Sequence, residues 1–187
     1  LGPGNRRPIE EFHRRLRGME SVQPFGWMEG CVLDALGDLG AEQSLAAHLD
    51  LFLDGGSRLV YEDPRGVPAD GRVYGIEGTL PFARIAKKRP GHSSIGAAVE
   101  FWLAHRDTEG CVIDGATTST EGCYTVAYPM AVVARQRGDR ELEALALLQL
   151  RLRKRRLAQP DTIHLRWHAE HGHTFRNWSR GVAWYLL

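Results

Sequence analysis

Two glutamates, Glu77 and Glu121, stand at matching places near the starts of two helix-like segments. A pair of carboxylates across one pocket is the usual equipment for general acid/base work on sugars. A single acid there has another explanation, since it complements the positive end of a helix. Recurrence in two repeats favours the shared pocket. Aromatic residues gather at the same kind of position: Trp27 beside Glu29, Tyr124 and Tyr128 after Glu121, then Trp178 and Trp184 flanking Arg180. An arginine between two indoles can be structural, stacked on their faces. It can equally be a fixed fork for a substrate carboxylate, with tryptophan as the sugar platform. Four histidines, His164, His168, His171 and His173, crowd one connection. They read as substrate contacts, as solvated loop residues, or, less well, as a zinc site, because the spacing of His164 and His168 lacks a third standard ligand. The basic run Arg151, Arg153, Lys154, Arg155, Arg156 reads as a solvated face at the end of a helix.

The elements that must position these residues are helices. WMEGCVLDALGD (27–38) and AEQSLAAHLDLFLD (41–54) form one pair, broken at Gly40. IEGTLPFARIAKK (76–88) and SIGAAVEFWLAHR (94–106) form a second. EGCYTVAYPMAVVARQR (121–137) and RELEALALLQLRLRKRRL (140–157) form a third, and SRGVAWYLL opens a fourth. Anchor glycines recur at Gly30, Gly78, Gly122 and Gly181, a period of about 50 residues that marks an array of helical hairpins. First helices are rich in small and aromatic residues, and second helices are more amphipathic. That asymmetry predicts an inner and an outer layer. Turns within hairpins are short, whereas residues 54–75, 107–120 and 158–177 make long connections on one rim. Long connections tend to be functional, and RLVYE, GCVID and TIHLRW within them are candidate strands.

Composition narrows the classes. A formal net charge of +1 argues against a nucleic-acid partner or a membrane surface, which call for basic excess. No apolar stretch reaches the roughly 20 residues of a membrane span. Cys31, Cys111 and Cys123 are odd in number and lack metal-ligand spacing. They read as buried free thiols in a reducing compartment, the cytoplasm. No signal peptide is visible, and the chain begins with Leu1 rather than Met.

On these residues the chain resembles glycoside hydrolase families 88 and 105, the unsaturated glucuronyl and rhamnogalacturonyl hydrolases. WSRGVAWYLL (178–187) is similar to their W-x-R-G-x-x-W signature, and EGCYTVAYPMAVVARQRGD (121–139) to their D-x-x-[YF]-M-x-x-P-F segment. The likeness spans roughly residues 70–187. It implies an all-α fold, an α/α toroid of six hairpins, with about half present as three hairpins and the start of a fourth. Residues 1–187 are then one partial barrel domain whose C-terminal part is missing. It implies hydration of the C4=C5 vinyl ether of an unsaturated uronyl group, with no metal or organic cofactor. An acid protonates C4 and assists water at C5, and the resulting hemiketal collapses to release the sugar. Glu121 falls where the family has its catalytic Asp, and Glu77 near the second. His168 falls near a substrate-contacting His, and Arg180 and Trp184 match the signature. Both acids are Glu where the family has Asp, and one added methylene matters for positioned catalysis. Asp114, in the rim loop before Glu121, is therefore a further acid candidate. Trp27, Tyr124 and Trp178 complete the expected sugar-binding set.

The expected partner is an oligosaccharide. Two other classes remain open: a different toroidal sugar enzyme, an epimerase or an ordinary hydrolase, and a non-catalytic helical-repeat binding protein. An open half-ring exposes inner-layer apolar surface, a liability that a homodimer would relieve. On this reading the 187 residues are a fragment and inactive alone.

Overall fold

The computed structural model describes residues 6–18, 22–55, 58–60, 71–176 and 179–187. Trp178, and Tyr61 and Glu62 of the RLVYE segment, lie outside the described residues; within that segment Leu59 makes an isolated bridge with Leu53. After helix α1 (Arg6–Arg17), α2 (Trp27–Asp38) and α3 (Glu42–Phe52) form the first hairpin, α4 (Phe82–Lys88) and α5 (Ser94–Ala104) the second, and α6 (Tyr128–Arg137) and α7 (Arg140–Leu157) the third. Helix α8 (Ser179–Leu186) follows a β-hairpin.

Local chemistry sets these boundaries. Gly40 adopts φ 66° and ends α2. Gly138, at φ 65°, ends α6, and Asp139 caps α7 by accepting from Leu142 N at 2.9 Å. Pro81 splits the second first-helix, so that a 3-10 turn, Ile76–Thr79, precedes α4. The third first-helix is irregular as well. Cys123–Ala127 is wound as a π-helical segment before α6.

Helices α2, α4 and α6 pack in succession, each also against its hairpin mate. Glycines permit the close approach. A Cβ at Gly30 would fall within 2.5 Å of Leu80 Cγ, and one at Gly37 within 2.7 Å of Arg84 Cζ. Leu33, Leu36, Phe82, Ile85, Trp102, Val126 and Met130 belong to one buried apolar core among these helices.

The expectation of an all-α fold, an α/α toroid of hairpins, is overturned by a four-stranded antiparallel sheet. The strands are β1 (Thr117–Ser119), β2 (Ala158–Gln159), β3 (Thr162–His168) and β4 (Gly172–Arg176). Strand β3 is the hub. It pairs β1 with Thr117 opposite His168 and Ser119 opposite Arg166, and it pairs both β2 and β4. The reason lies in TIHLRWH, where Ile163, Leu165 and Trp167 alternate with His164, Arg166 and His168. That period of two suits a strand and no helix. Gly172, at φ 71°, then supplies the left-handed residue that starts the return strand. The fold is therefore mixed α/β, with the sheet built from the second and third rim connections. GCVID contributes only isolated bridges, Arg106 with Val112 and Asp114 with Thr117.

Candidate active site

Trp27, Glu77, Glu121, Thr125, Arg180 and Trp184 line one narrow cleft of about 20 Å³. They arrive from four first-helix starts or their continuations. Trp27 opens α2, Glu77 lies in the 3-10 turn, Glu121 precedes the π-helical segment, and Arg180 and Trp184 belong to α8. The aromatic side is held by edge contacts. Trp27 and Trp184 meet at 5.4 Å and 74°, and Trp184 meets Tyr124 at 5.6 Å and 62°. Arg180 lies over the Trp27 ring at 5.5 Å, so it is stacked and also faces the cleft.

The two acid-bearing segments are tied together by Thr79. Pro129 has no N–H, so the Thr125 carbonyl lacks its helical donor four residues on. The buried Thr79 hydroxyl donates to that carbonyl, with Ile76 O at 3.0 Å. The Glu77 turn is thereby fixed to the helix that follows Glu121, whose own carbonyl accepts from Thr125 Oγ1 at 3.0 Å.

Tyr124 stands beneath the cleft rather than on its wall. Its hydroxyl donates to Asp34 Oδ2 at 2.6 Å, and Tyr128 donates to Asp34 Oδ1 at 3.2 Å. Burial, and then the Asp34 carboxylate, push the Tyr124 hydroxyl far above its ordinary value, so it stays protonated. Burial with the same acid pushes Tyr128 up to about 12. Burial also raises the Cys123 thiol to about 11, which leaves it a poor nucleophile.

The remaining candidates lie elsewhere. Asp114 is exposed in a tight turn, exchanging hydrogen bonds with Thr117 at 2.9 and 3.0 Å. His168 stands opposite Thr117 in register, while Leu165 accepts from Thr120 N at 3.0 Å. Leu165, not His168, is therefore level with the start of the Glu121 helix. Glu29, the third acid at a first-helix start, is fully buried. It bonds His48 Nδ1 at 2.7 Å and accepts from Gln23 N at 2.8 Å, so it is structural.

The histidine connection forms the β3–β4 hairpin. His164 and His168 share one strand four residues apart, roughly 13 Å at strand rise, too far for one metal ion. Among the described residues, His168, Glu170 and His171 could gather around an ion, with donor atoms within 4.8 Å. However, His168 Nδ1 already accepts from Glu170 N at 3.0 Å and His171 N at 3.3 Å. That nitrogen is already engaged by the turn's own amides.

The basic run is only partly a solvated face. Arg153 is fully buried and Arg156 is 6% exposed. Arg156 bonds Asp107 Oδ2 at 2.6 Å, Thr118 Oγ1 at 2.8 Å and Glu109, and lies over Trp167 at 4.7 Å. The three cysteines are free, with Cys111 and Cys123 buried and Cys31 half-buried. A larger groove between α6 and α7 is walled by Ala127, Ala131, Ala134, Ala146, Leu147 and Leu150. It offers no paired carboxylates and is not where this chemistry would sit. Among the described residues, no helix is long and apolar enough to cross a membrane. No protein-family model matches the chain, and no curated protein sequence matches it significantly.

Proposed function

We propose that the chain is a glycoside hydrolase that hydrates the C4=C5 vinyl ether of unsaturated uronyl oligosaccharides. The observation that carries the reading is the convergence of Glu77, Glu121, Arg180 and two indoles on one cleft. The chemistry needs an acid to deliver a proton to C4, a base to take one from water attacking C5, and a cation for the uronate carboxylate. Glu121 supplies the first two in turn, so its protonation state is restored when water adds. Glu77 is the second carboxylate, holding water or a ring hydroxyl. Arg180, kept in place by stacking on Trp27, receives the substrate carboxylate. Trp184 offers a ring-stacking wall. At about 20 Å³ the closed cleft has room for a water between the two carboxylates, and a terminal sugar ring enters only as its walls part.

The test is the ultraviolet absorbance of the conjugated uronyl group, followed during incubation of an unsaturated disaccharide with the purified protein. Glu121→Gln should lower kcat by about 100-fold or more, the scale of a lost general acid, while leaving the protein folded. Arg180→Met should act mainly through KM. Absence of any turnover across unsaturated glucuronides and galacturonides would remove the reading. Binding that survives in Glu121→Gln without wild-type turnover would instead favour a sugar-binding protein.

A further inference from the structure

Helix α7 is the second helix of its hairpin, yet one of its arginines reaches the backbone next to Glu121. Arg153 is fully buried, and among the described residues it pairs with no carboxylate. Its fork is spent on carbonyls instead. Nη2 donates to Val112 O at 2.7 Å, Nε to Ser119 O at 3.2 Å, and Nη1 to Gln149 Oε1 at 3.0 Å, with Gln149 O at 3.4 Å and Cys111 Sγ at 3.6 Å. The guanidinium also lies flat against Gly122, where a Cβ would fall within 2.5 Å of Arg153 Cζ. Ser119 and Gly122 flank Thr120 and Glu121. One buried group therefore grips the chain on both sides of the glutamate and joins it to the rim loop and to α7. A buried cation without a counter-charge is costly. Simple packing would be served by an apolar residue of that size. What the fork adds is geometry, because its donors are fixed in one plane.

We infer that Arg153 is the positioning residue for Glu121, setting where its carboxylate stands relative to Glu77 and Arg180; this rests on the uronyl hydrolase reading of the cleft. Lysine at this position keeps the charge but cannot span Val112 O and Ser119 O together. Glu121 then shifts while the cleft residues themselves are unchanged.

The test compares wild type with Arg153→Lys by two readouts. The first is turnover of an unsaturated glucuronide. The expected result is a kcat reduced about 10- to 100-fold, as for a misplacement near 1 Å, with KM changed by less than about threefold. The second readout is the carbon-13 chemical shift of the glutamate side-chain carboxyls at one fixed pH. The Glu121 signal should move, because its place among Glu77 and Arg180 changes, while the buried Glu29 signal stays as in wild type. Wild-type kcat together with an unmoved Glu121 signal overturns the inference. If wild type shows no turnover, the hydrolase reading fails by itself, and the Glu121 signal alone decides whether Arg153 positions Glu121. Should Arg153→Lys not fold, Gly122→Ala presses on the same guanidinium from the other side and is read identically.

Discussion

Two arginines are buried in this protein in nearly the same setting, and they are satisfied in opposite ways. Arg84 lies against Gly37, and Arg153 lies against Gly122. Each guanidinium fills space that a methyl group on the glycine would take. Arg84 meets carboxylates. Its Nε donates to Asp34 Oδ1 at 2.5 Å, and Nη2 reaches both Asp38 and the Asp34 carbonyl, the latter at 3.0 Å. Arg153 meets carbonyls, a glutamine and a thiol. Both sites join a first helix to a neighbour, but only the second adjoins a cleft carboxylate. The paired site, between α2 and α4, looks like a fastener whose charges cancel. The unpaired one leaves its charge beside the backbone that carries Glu121, and a fold does not need that for strength alone.

The largest expected difference between the two arginine sites is in stability. Arg84→Met strands Asp34, which keeps only the Tyr124 and Tyr128 hydroxyls as donors. Breaking a buried pair in this way should cost about 3–5 kcal/mol. Arg153→Met strands no carboxylate. Its loss should be smaller, about 1–3 kcal/mol for the buried carbonyls left without donors. Denaturant unfolding of the two variants checks the order. A larger loss in Arg153→Met would dissolve the distinction between fastener and positioner.

The glycines sharpen the same contrast. Gly37→Ala and Gly122→Ala both force a methyl into a guanidinium, an overpacking worth about 1–3 kcal/mol. Arg84 is clamped by two carboxylates and cannot withdraw, so Gly37→Ala should sit at the upper end of that range. Arg153 can give up its longest contacts, so Gly122→Ala should unfold at higher denaturant than Gly37→Ala while losing more turnover. Equal losses on both readouts would show that the two sites play one role.

How much of this was legible in the sequence depends on what each residue answers to. Glu77, Glu121, Trp27, Arg180 and Trp184 do converge, and their places in the hairpin repeat are enough to see it. Glu29 has the same place and a different fate, because His48 on α3 takes it into the core. That is a contact between hairpin mates which spacing does not reveal. Arg153 and Arg156 were hidden within a basic run at a helix end, a composition that describes solvated faces. What buries them is the packing of β1 and the rim loop on α7. The fold class was missed for a related reason. TIHLRWH carries a strand period, but whether it stays an isolated rim strand or becomes the hub of a four-stranded sheet depends on β1, far away in sequence. Thr79 left no signal at all, since its value comes from the carbonyl that Pro129 frees on another segment.

That role of Thr79 yields a further prediction. Thr79→Val keeps the volume but leaves the Thr125 carbonyl buried without its donor, for about 1–2 kcal/mol. The link between the Glu77 turn and the Glu121 helix is lost with it. Turnover should fall more than stability implies, and adding Arg153→Lys should bring little further loss if both act by placing the same carboxylates. Additive losses in the double variant would mean that the two residues hold separate things.

The smallest expected effect concerns a third buried arginine, which falls between the two extremes. Arg156 is paired, but one partner, Glu109, is half-exposed. The guanidinium of Arg156, and then that of Arg155, hold the Glu109 carboxyl below its ordinary 4.5. A carboxyl depressed in the folded state contributes stability that is fully present above the unfolded value and disappears as pH falls through the folded one. The melting-temperature gap between wild type and Glu109→Gln should therefore be constant near neutrality and close as pH drops below 4.5. It should also narrow with added salt, since exposed charge is screened. The Arg84 pair is shielded from solvent and should show much less salt dependence. A gap for Glu109→Gln that ignores both pH and salt would place Arg156 with Arg153, held by Thr118 and by stacking on Trp167 rather than by its carboxylates.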